Sequence, residues 1–129
     1  MKNTSIPQPT NAELEILKFL WKLGPSTVKL INQKLNEIKE VGYTTTLKTM
    51  QIMTDKNMLT RDTEGRSHIY SPAFKEEDVQ GQMLDRLLNT AFGGSAKKLV
   101  MQTLGNHQTS KQELDEIRRF LDEIENQGE

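Results

Sequence analysis

The amino-acid sequence predicts a mainly α chain, in which three short helices and a two-stranded hairpin precede three further amphipathic helices. Three observations predict it. Apolar residues recur at helical spacing from residue 10 to residue 56, and again from residue 75 to about 125. Between them the pattern changes to two short strand-like runs around a turn-rich centre. Finally, 129 residues with 34% hydrophobic and 5% aromatic content hold too little apolar material for two sealed cores.

Residues 1–9 contain two prolines among polar residues and read as a loose arm. Thr10 followed by Glu13 is a capping-box pattern that opens the first helix. Leu14, Leu17, Leu20 and Trp21 then share one face, and Gly24-Pro25 ends the helix. Ser26 or Thr27 caps the second, whose inner face is Val28, Ile31, Leu35 and Ile38; Val41-Gly42 breaks the pattern. The third helix spans about Thr44 to Lys56 with Thr46, Met50 and Met53 inward. Asn57 follows it, a residue that tolerates the left-handed turn closing a helix. Residues 58–61 and 67–70 form the strands, Asp62-Thr63-Glu64-Gly65 the turn, and Pro72 the stop. Three helices linked by tight breaks and followed directly by a hairpin make a winged helix-turn-helix over residues 10–74.

Residues 75–129 form the second domain. Val79, Met83, Leu84, Leu87, Leu88 and Phe92 make a broad stripe, and Gly93-Gly94 interrupts it. Ser95 restarts a helix with Ala96, Leu99, Val100 and Leu104 inward. Ser110 and Glu113 give a second capping-box pattern, and Leu114, Ile117, Leu121 and Ile124 repeat at near-heptad spacing. Phe92 and Phe120 are the only aromatics of this half, so the stripes are expected to close against a second copy. The dimerisation surface is read as Val79, Met83, Leu87, Leu99, Val100, Leu114, Ile117, Leu121 and Ile124.

Charge separates along the chain. Residues 1–74 hold ten Lys and Arg against seven Asp and Glu, a net of +3; residues 75–129 hold seven against eleven, a net of −4. A basic half joined to an acidic one suits a polyanion on one side and protein on the other. Cysteine is absent, which removes disulfides, thiolate metal sites and cysteine nucleophiles. The two histidines, His68 and His107, lie in unrelated segments and have no nucleophile or base partner by spacing, so no enzyme, metal or cofactor is expected. No run of about 18 apolar residues spans a membrane and no signal peptide precedes the helices; a cytoplasmic protein is expected.

With Thr46, Met50 and Met53 inward, about 100° per residue turns Thr44, Lys48, Gln51 and Asp55 outward, flanked by Thr45 and Ile52. In a helix lying in the major groove, Thr44 and Thr45 suit phosphates, base edges or thymine methyls. Lys48 suits guanine or a phosphate, and Gln51 suits adenine. A solvated, Thr-rich helix face reads the same in sequence. Free amides near Thr27 seat a phosphate, and Lys29 and Tyr43 can add backbone contacts, although Tyr43 equally suits packing. On the wing, Arg66 beside Gly65 and His68 can reach the sugar-phosphate backbone. Arg61 serves either there or as an ordinary surface charge.

Gly42-Tyr43-Thr44-Thr45-Thr46, Lys56-Asn57-Met58-Leu59-Thr60-Arg61 and Gly65-Arg66-Ser67-His68-Ile69-Tyr70-Ser71-Pro72 together resemble the penicillinase and methicillin-resistance repressors (the BlaI/MecI type). Leu20-Trp21 and Gly93-Gly94-Ser95 before Leu99-Val100 fit the same pattern, so the resemblance covers roughly residues 8–125. It implies a homodimer with an intertwined three-helix dimerisation domain and a winged-helix domain that reads a palindromic operator on double-stranded DNA. It also implies derepression through proteolysis, or a signal, from a membrane sensor metalloprotease of the antibiotic-resistance type. The family commonly has Gly at the position of Asn57, an apolar β-branched residue at Thr46 and Arg at Ile52. Its cleaved Asn-Phe bond aligns near Gln102-Thr103, a different dipeptide and the candidate cleavage region here. Two other readings stay open: a winged-helix repressor that senses a small molecule directly, and a winged-helix module that binds only protein.

Overall fold

The computed structural model describes residues 5–128. Its elements run α1 (Asn11–Leu23), α2 (Val28–Asn36), α3 (Tyr43–Asp55), β1 (Leu59–Asp62), β2 (Ile69–Pro72), α4 (Glu76–Thr90), α5 (Ala96–Asn106) and α6 (Lys111–Gln127). The class is the mainly α winged helix-turn-helix plus helical region that the sequence predicts. No helix among the described residues is long and apolar enough to cross a membrane. The chain divides into two compact units, Met1–Asp85 and Arg86–Glu129, and the division falls inside α4.

Capping residues set the helix starts. Thr10 Oγ1 accepts from the Glu13 amide at 3.1 Å, and the Glu13 carboxylate accepts from the Thr10 amide at 2.9 Å, closing the expected box. Of the two candidates for α2, Thr27 is the cap, accepting from the Leu30 amide. Ser26 instead pairs with Tyr70 through both backbone hydrogen bonds, 3.0 and 2.8 Å, adding a single-residue rung to the wing. Gly24, at φ 89°, ends α1 in a conformation that L side chains avoid.

α3 closes as a Schellman turn. The Met58 amide donates to the Met53 carbonyl, the Asn57 amide donates to that of Thr54, and Asn57 sits left-handed at φ 66°. Met53 and Met58 are both buried in the core, where that motif places its apolar pair. From there β1 runs antiparallel to β2 with Arg61 opposite Tyr70 and Leu59 opposite Pro72. The strands lie one to two residues later than expected, because residues 56–58 are spent closing α3.

The core of the first unit is built from Ile16, Leu17 and Leu20 of α1, Val28, Ile31 and Leu35 of α2, and Met50 and Met53 of α3. Met58, Leu59 and Tyr70 complete it. Two expectations are corrected. The α1 face centres on Ile16, which is buried, while Leu14 and Trp21 are only half-buried. Ile38 was expected inward but is 66% exposed, because α2 stops at Asn36 and carries no helical phase to residue 38. The Trp21 indole donates to the Phe74 carbonyl at 3.0 Å, tying α1 to the segment after the wing. Part of the expected N-terminal arm, residues 1–4, lies outside the described residues; further on, the Ile6 carbonyl accepts from Gln82 at 2.6 Å.

The C-terminal helices are a different material. Val79 is buried, whereas Met83, Leu84, Leu87, Val100, Met101, Phe120, Leu121 and Ile124 are exposed. Gly93 and Gly94 both take positive φ between α4 and α5. Ser95 caps α5, and Ser110 caps α6 by accepting from the Glu113 amide, which is one half of the reciprocal box expected there.

One buried charge fastens the first unit. The Lys56 ammonium lies 2.9 Å from Glu13 Oε2, so the residue closing α3 is pinned to the residue opening α1. Burial works to raise the Glu13 pKa, but the hydrogen bond from the Thr10 amide and the Lys56 charge outweigh it and hold the carboxyl below its ordinary 4.5. The stability supplied by a carboxylate depressed in this way is complete above about 4.5 and lost as the pH falls through the lowered value. Glu13→Gln is therefore expected to cost about 1–2 kcal/mol at pH 7 and to flatten that acid limb. Urea unfolding followed by the single tryptophan at several pH values reads both effects. An acid limb unchanged in the variant would show that the pair is energetically idle.

Candidate nucleic-acid interface

Burial of Thr46, Met50 and Met53 fixes the rotation of α3. Thr44, Thr45, Lys48, Gln51, Ile52 and Asp55 are consequently exposed along the opposite side. The α2–α3 turn is stiffened by two asparagines that the residue pattern did not single out. Asn32 Nδ2 donates to the Val41 carbonyl at 3.1 Å and to Thr46 Oγ1 at 2.8 Å. Asn36 Nδ2 donates to the same Val41 carbonyl, and Asn36 Oδ1 accepts from the Val41 amide. Three of these bonds converge on the Val41 backbone, and the fourth holds Thr46 at the start of α3.

Three elements meet in one open groove beside that face. The start of α2 supplies Thr27, Val28 and Lys29, the start of α3 Tyr43 and Leu47, and the wing Arg66, Ser67, His68 and Tyr70. Five of the six residues singled out for backbone contact are gathered here: Thr27, Lys29, Tyr43, Arg66 and His68. Tyr43 is half exposed, so its packing reading gives way to a surface position at the groove. Arg61 is exposed on β1 and does not line the groove. Leu47 and Ser67 join it without having been singled out. Their only sequence signal is adjacency, Leu47 one turn beyond Tyr43 and Ser67 between Arg66 and His68.

Lys29, Lys48, Arg61 and Arg66 make no ion pair among the described residues, whereas Lys34, Lys56, Lys111 and Arg118 do. Unpaired cations occur on other faces too; what sets these four apart is their position around α3 and the wing. At the wing tip the Glu64 amide donates to Asp62 Oδ1 at 3.0 Å, a side-chain turn that shapes the loop leading to Arg66. The arrangement offers helix amides, hydroxyls and uncompensated positive charge to a chain of phosphates, with polar side chains on α3 between them.

The remaining sequence-derived positions lie on the C-terminal helices. Leu99, Leu114 and Ile117 are half-buried, and Met83, Leu87, Val100, Leu121 and Ile124 are exposed. Val79 is already covered within the single chain. Gln102 and Thr103 are exposed on α5, with Thr103 Oγ1 donating to the Leu99 carbonyl at 2.7 Å.

Comparison with known proteins points the same way. The family model described as penicillinase repressor matches residues 9–123. The penicillinase repressor of Bacillus licheniformis is 32% identical over 127 residues, covering 94% of each chain. That of Staphylococcus aureus is 25% identical, covering 88% of this chain and 90% of its own. Among solved structures, the DNA-binding domain of the repressor BlaI is 28% identical with a TM-score of 0.52, covering 59% of this chain and 93% of that one. The monomeric form of Bacillus licheniformis BlaI in complex with the blaP half-operator is also 28% identical, with a TM-score of 0.51, covering 57% of this chain and 90% of that one.

The asparagine clamp yields a direct expectation. Asn32→Ala leaves the nearly inaccessible Thr46 hydroxyl without its donor and the Val41 carbonyl with that of Asn36 alone, and is expected to cost about 2 kcal/mol. The urea midpoint read through Trp21 checks it, and an unshifted midpoint would mean that other groups hold the turn.

Proposed function

The chain belongs to the penicillinase repressor family, and on that premise we propose that it represses transcription as a homodimer on a palindromic operator. The family is one of DNA-binding transcriptional repressors rather than enzymes. The observation that carries the reading is the convergence of the α2 start, the α3 start and the wing on one groove beside the exposed face of α3. Thr44, Thr45, Lys48 and Gln51 read base edges, while Thr27, Lys29, Tyr43, Arg66 and His68 hold the sugar-phosphate backbone, with Arg61 at the periphery. One relative's monomeric form is bound to a half-operator, which supports one winged helix per half-site and two for the whole.

In this reading residues 10–74 bind DNA and residues 75–129 make the dimer. Support comes from the apolar stripes of α4 to α6, which the single chain leaves largely uncovered. Linking two reading heads raises affinity without a new contact to DNA. Derepression then follows from separating them, by proteolysis near Gln102-Thr103 or by another signal from a membrane sensor metalloprotease. A cut there detaches α6, and with it Leu114, Ile117, Leu121 and Ile124. α5 contributes no fully buried residue, which favours the local opening a protease needs.

Two mutant classes separate reading from pairing. Lys48→Ala and Gln51→Ala are each expected to weaken binding to a duplex selected by the protein from a random pool, by about 1–3 kcal/mol per contact, with the dimer intact. Gel shifts and light scattering together test this, and normal affinity in both variants removes α3 from the role given to it. Ile117→Asp is expected to halve the mass seen by light scattering and to weaken DNA binding only as a consequence. A dimer of unchanged mass would overturn the placement of the interface on α6.

A further inference from the structure

The outward side of α3 has two unlike edges. Thr44, Lys48 and Gln51 form a polar one, and Thr45 and Ile52, seven residues apart, flank it on the other side. Ile52 is 46% exposed, and it is not among the apolar side chains packed on the core. Thr49 is half-buried, and its Oγ1 donates to the Thr45 carbonyl at 2.9 Å, which commits its hydroxyl hydrogen to the helix backbone. Thr45, two turns before Ile52, is exposed on the same side. On a helix face otherwise presenting hydroxyl, ammonium, amide and the Asp55 carboxylate, Ile52 is the apolar side chain.

Resting on the reading that α3 enters the major groove, we propose that Ile52 selects thymine at a defined position of each half-site. Of the four bases only thymine carries a methyl in the major groove, and an isobutyl-sized side chain against it removes apolar surface from water on both partners. Against adenine, guanine or cytosine, the same side chain covers a donor or acceptor and supplies no partner, so the wrong base is penalised as the right one is favoured. Ile52 thus acts on sequence choice by apolar contact, beside the hydrogen bonds that Lys48, one turn before it, and Gln51 offer to base edges. The continuity of the edge with the polar reading face makes duplex DNA, rather than another protein, its occupant.

The test uses the full chain and the best duplex it selects from a random pool, remade with deoxyuridine in place of each thymine in turn, at symmetric positions in both half-sites. Uracil pairs as thymine does and lacks only the methyl. At one position the substitution is expected to weaken wild-type binding about fourfold per half-site, roughly fifteenfold for the pair. Ile52→Ala is expected to lose that discrimination, and Ile52→Val to keep part of it, with Trp21 fluorescence unchanged in both. Wild-type affinity indifferent to uracil at every position, or an Ile52→Ala variant with undiminished discrimination, overturns the inference while leaving DNA binding in place. Failure to enrich any duplex overturns the DNA-reading function itself, and this inference with it.

Discussion

The outward face of α3 depends on a single constraint, the burial of Thr46, Met50 and Met53 with the Thr46 hydroxyl satisfied. Thr46 is 1% exposed, and an unpaired hydroxyl there would cost more than a typical hydrogen bond returns. Asn32 supplies the donor at 2.8 Å, and the same amide group holds the Val41 carbonyl. Rotating α3 by one residue would bring Leu47, Gln51 and Thr54 inward and bury an amide with no partner provided. The two polar side chains, Asn32 and Thr46, therefore decide which way Lys48, Gln51 and Ile52 point, although none of these three touches them.

Much of the first unit was legible because its signals are local. A cap and its partner lie three residues apart, a buried stripe repeats every three or four, and Asn57 marks a left-handed turn by its own chemistry. Ile38 shows where local signals stop. Its spacing continues the α2 stripe, but Asn36 turns its side chain to Val41 and ends the helix first, so the phase no longer applies. Ser26 reads as a cap from its neighbours, and only the position of Tyr70, far along the chain, makes it a rung of the wing. Thr27, Tyr43 and Arg66 were legible one by one as candidate backbone contacts, and their meeting in one groove emerges only from the fold. Asn32 and Asn36 were not legible, since a structural asparagine and a solvated one look alike until their partners are placed. Ile52 was legible as a flanking position; that it stays uncovered emerges only from the packing of its neighbours.

The two units solve the burial problem differently. The first closes over its own core with Ile31, Met50 and Met53 fully inaccessible. In α6 the polar side is settled within the helix, where Asp115 accepts from both Lys111 and Arg118, while the apolar side keeps Leu121 and Ile124 exposed. Such i,i+3 and i,i+4 pairs are worth a few tenths of a kcal/mol and hold a helix together without giving its apolar stripe anywhere to go. A stripe that the chain does not cover is the physical ground for assigning this half to a second copy.

The charge around α3 explains why pairing and sequence reading would both be needed. In the proposed reading, Lys29 and Arg66 in the groove and Lys48 and Arg61 beside it are the cations offered to DNA, so one protomer would neutralise about four phosphates, for a salt slope near −3.6. That is too shallow for tight binding at physiological ionic strength by a single head. Two heads bring the slope to about −7, within the range of repressors that hold operators, yet this attraction acts on any duplex alike. Selectivity must then come from groups whose interaction changes with the base, and the exposed face of α3 has few of them: two threonines, a lysine, a glutamine and an isoleucine. With so few directional hydrogen bonds available, an apolar contact that rejects three bases out of four carries weight beyond its area. In the proposed reading, the exposed position of Ile52 is costly in water but useful on DNA.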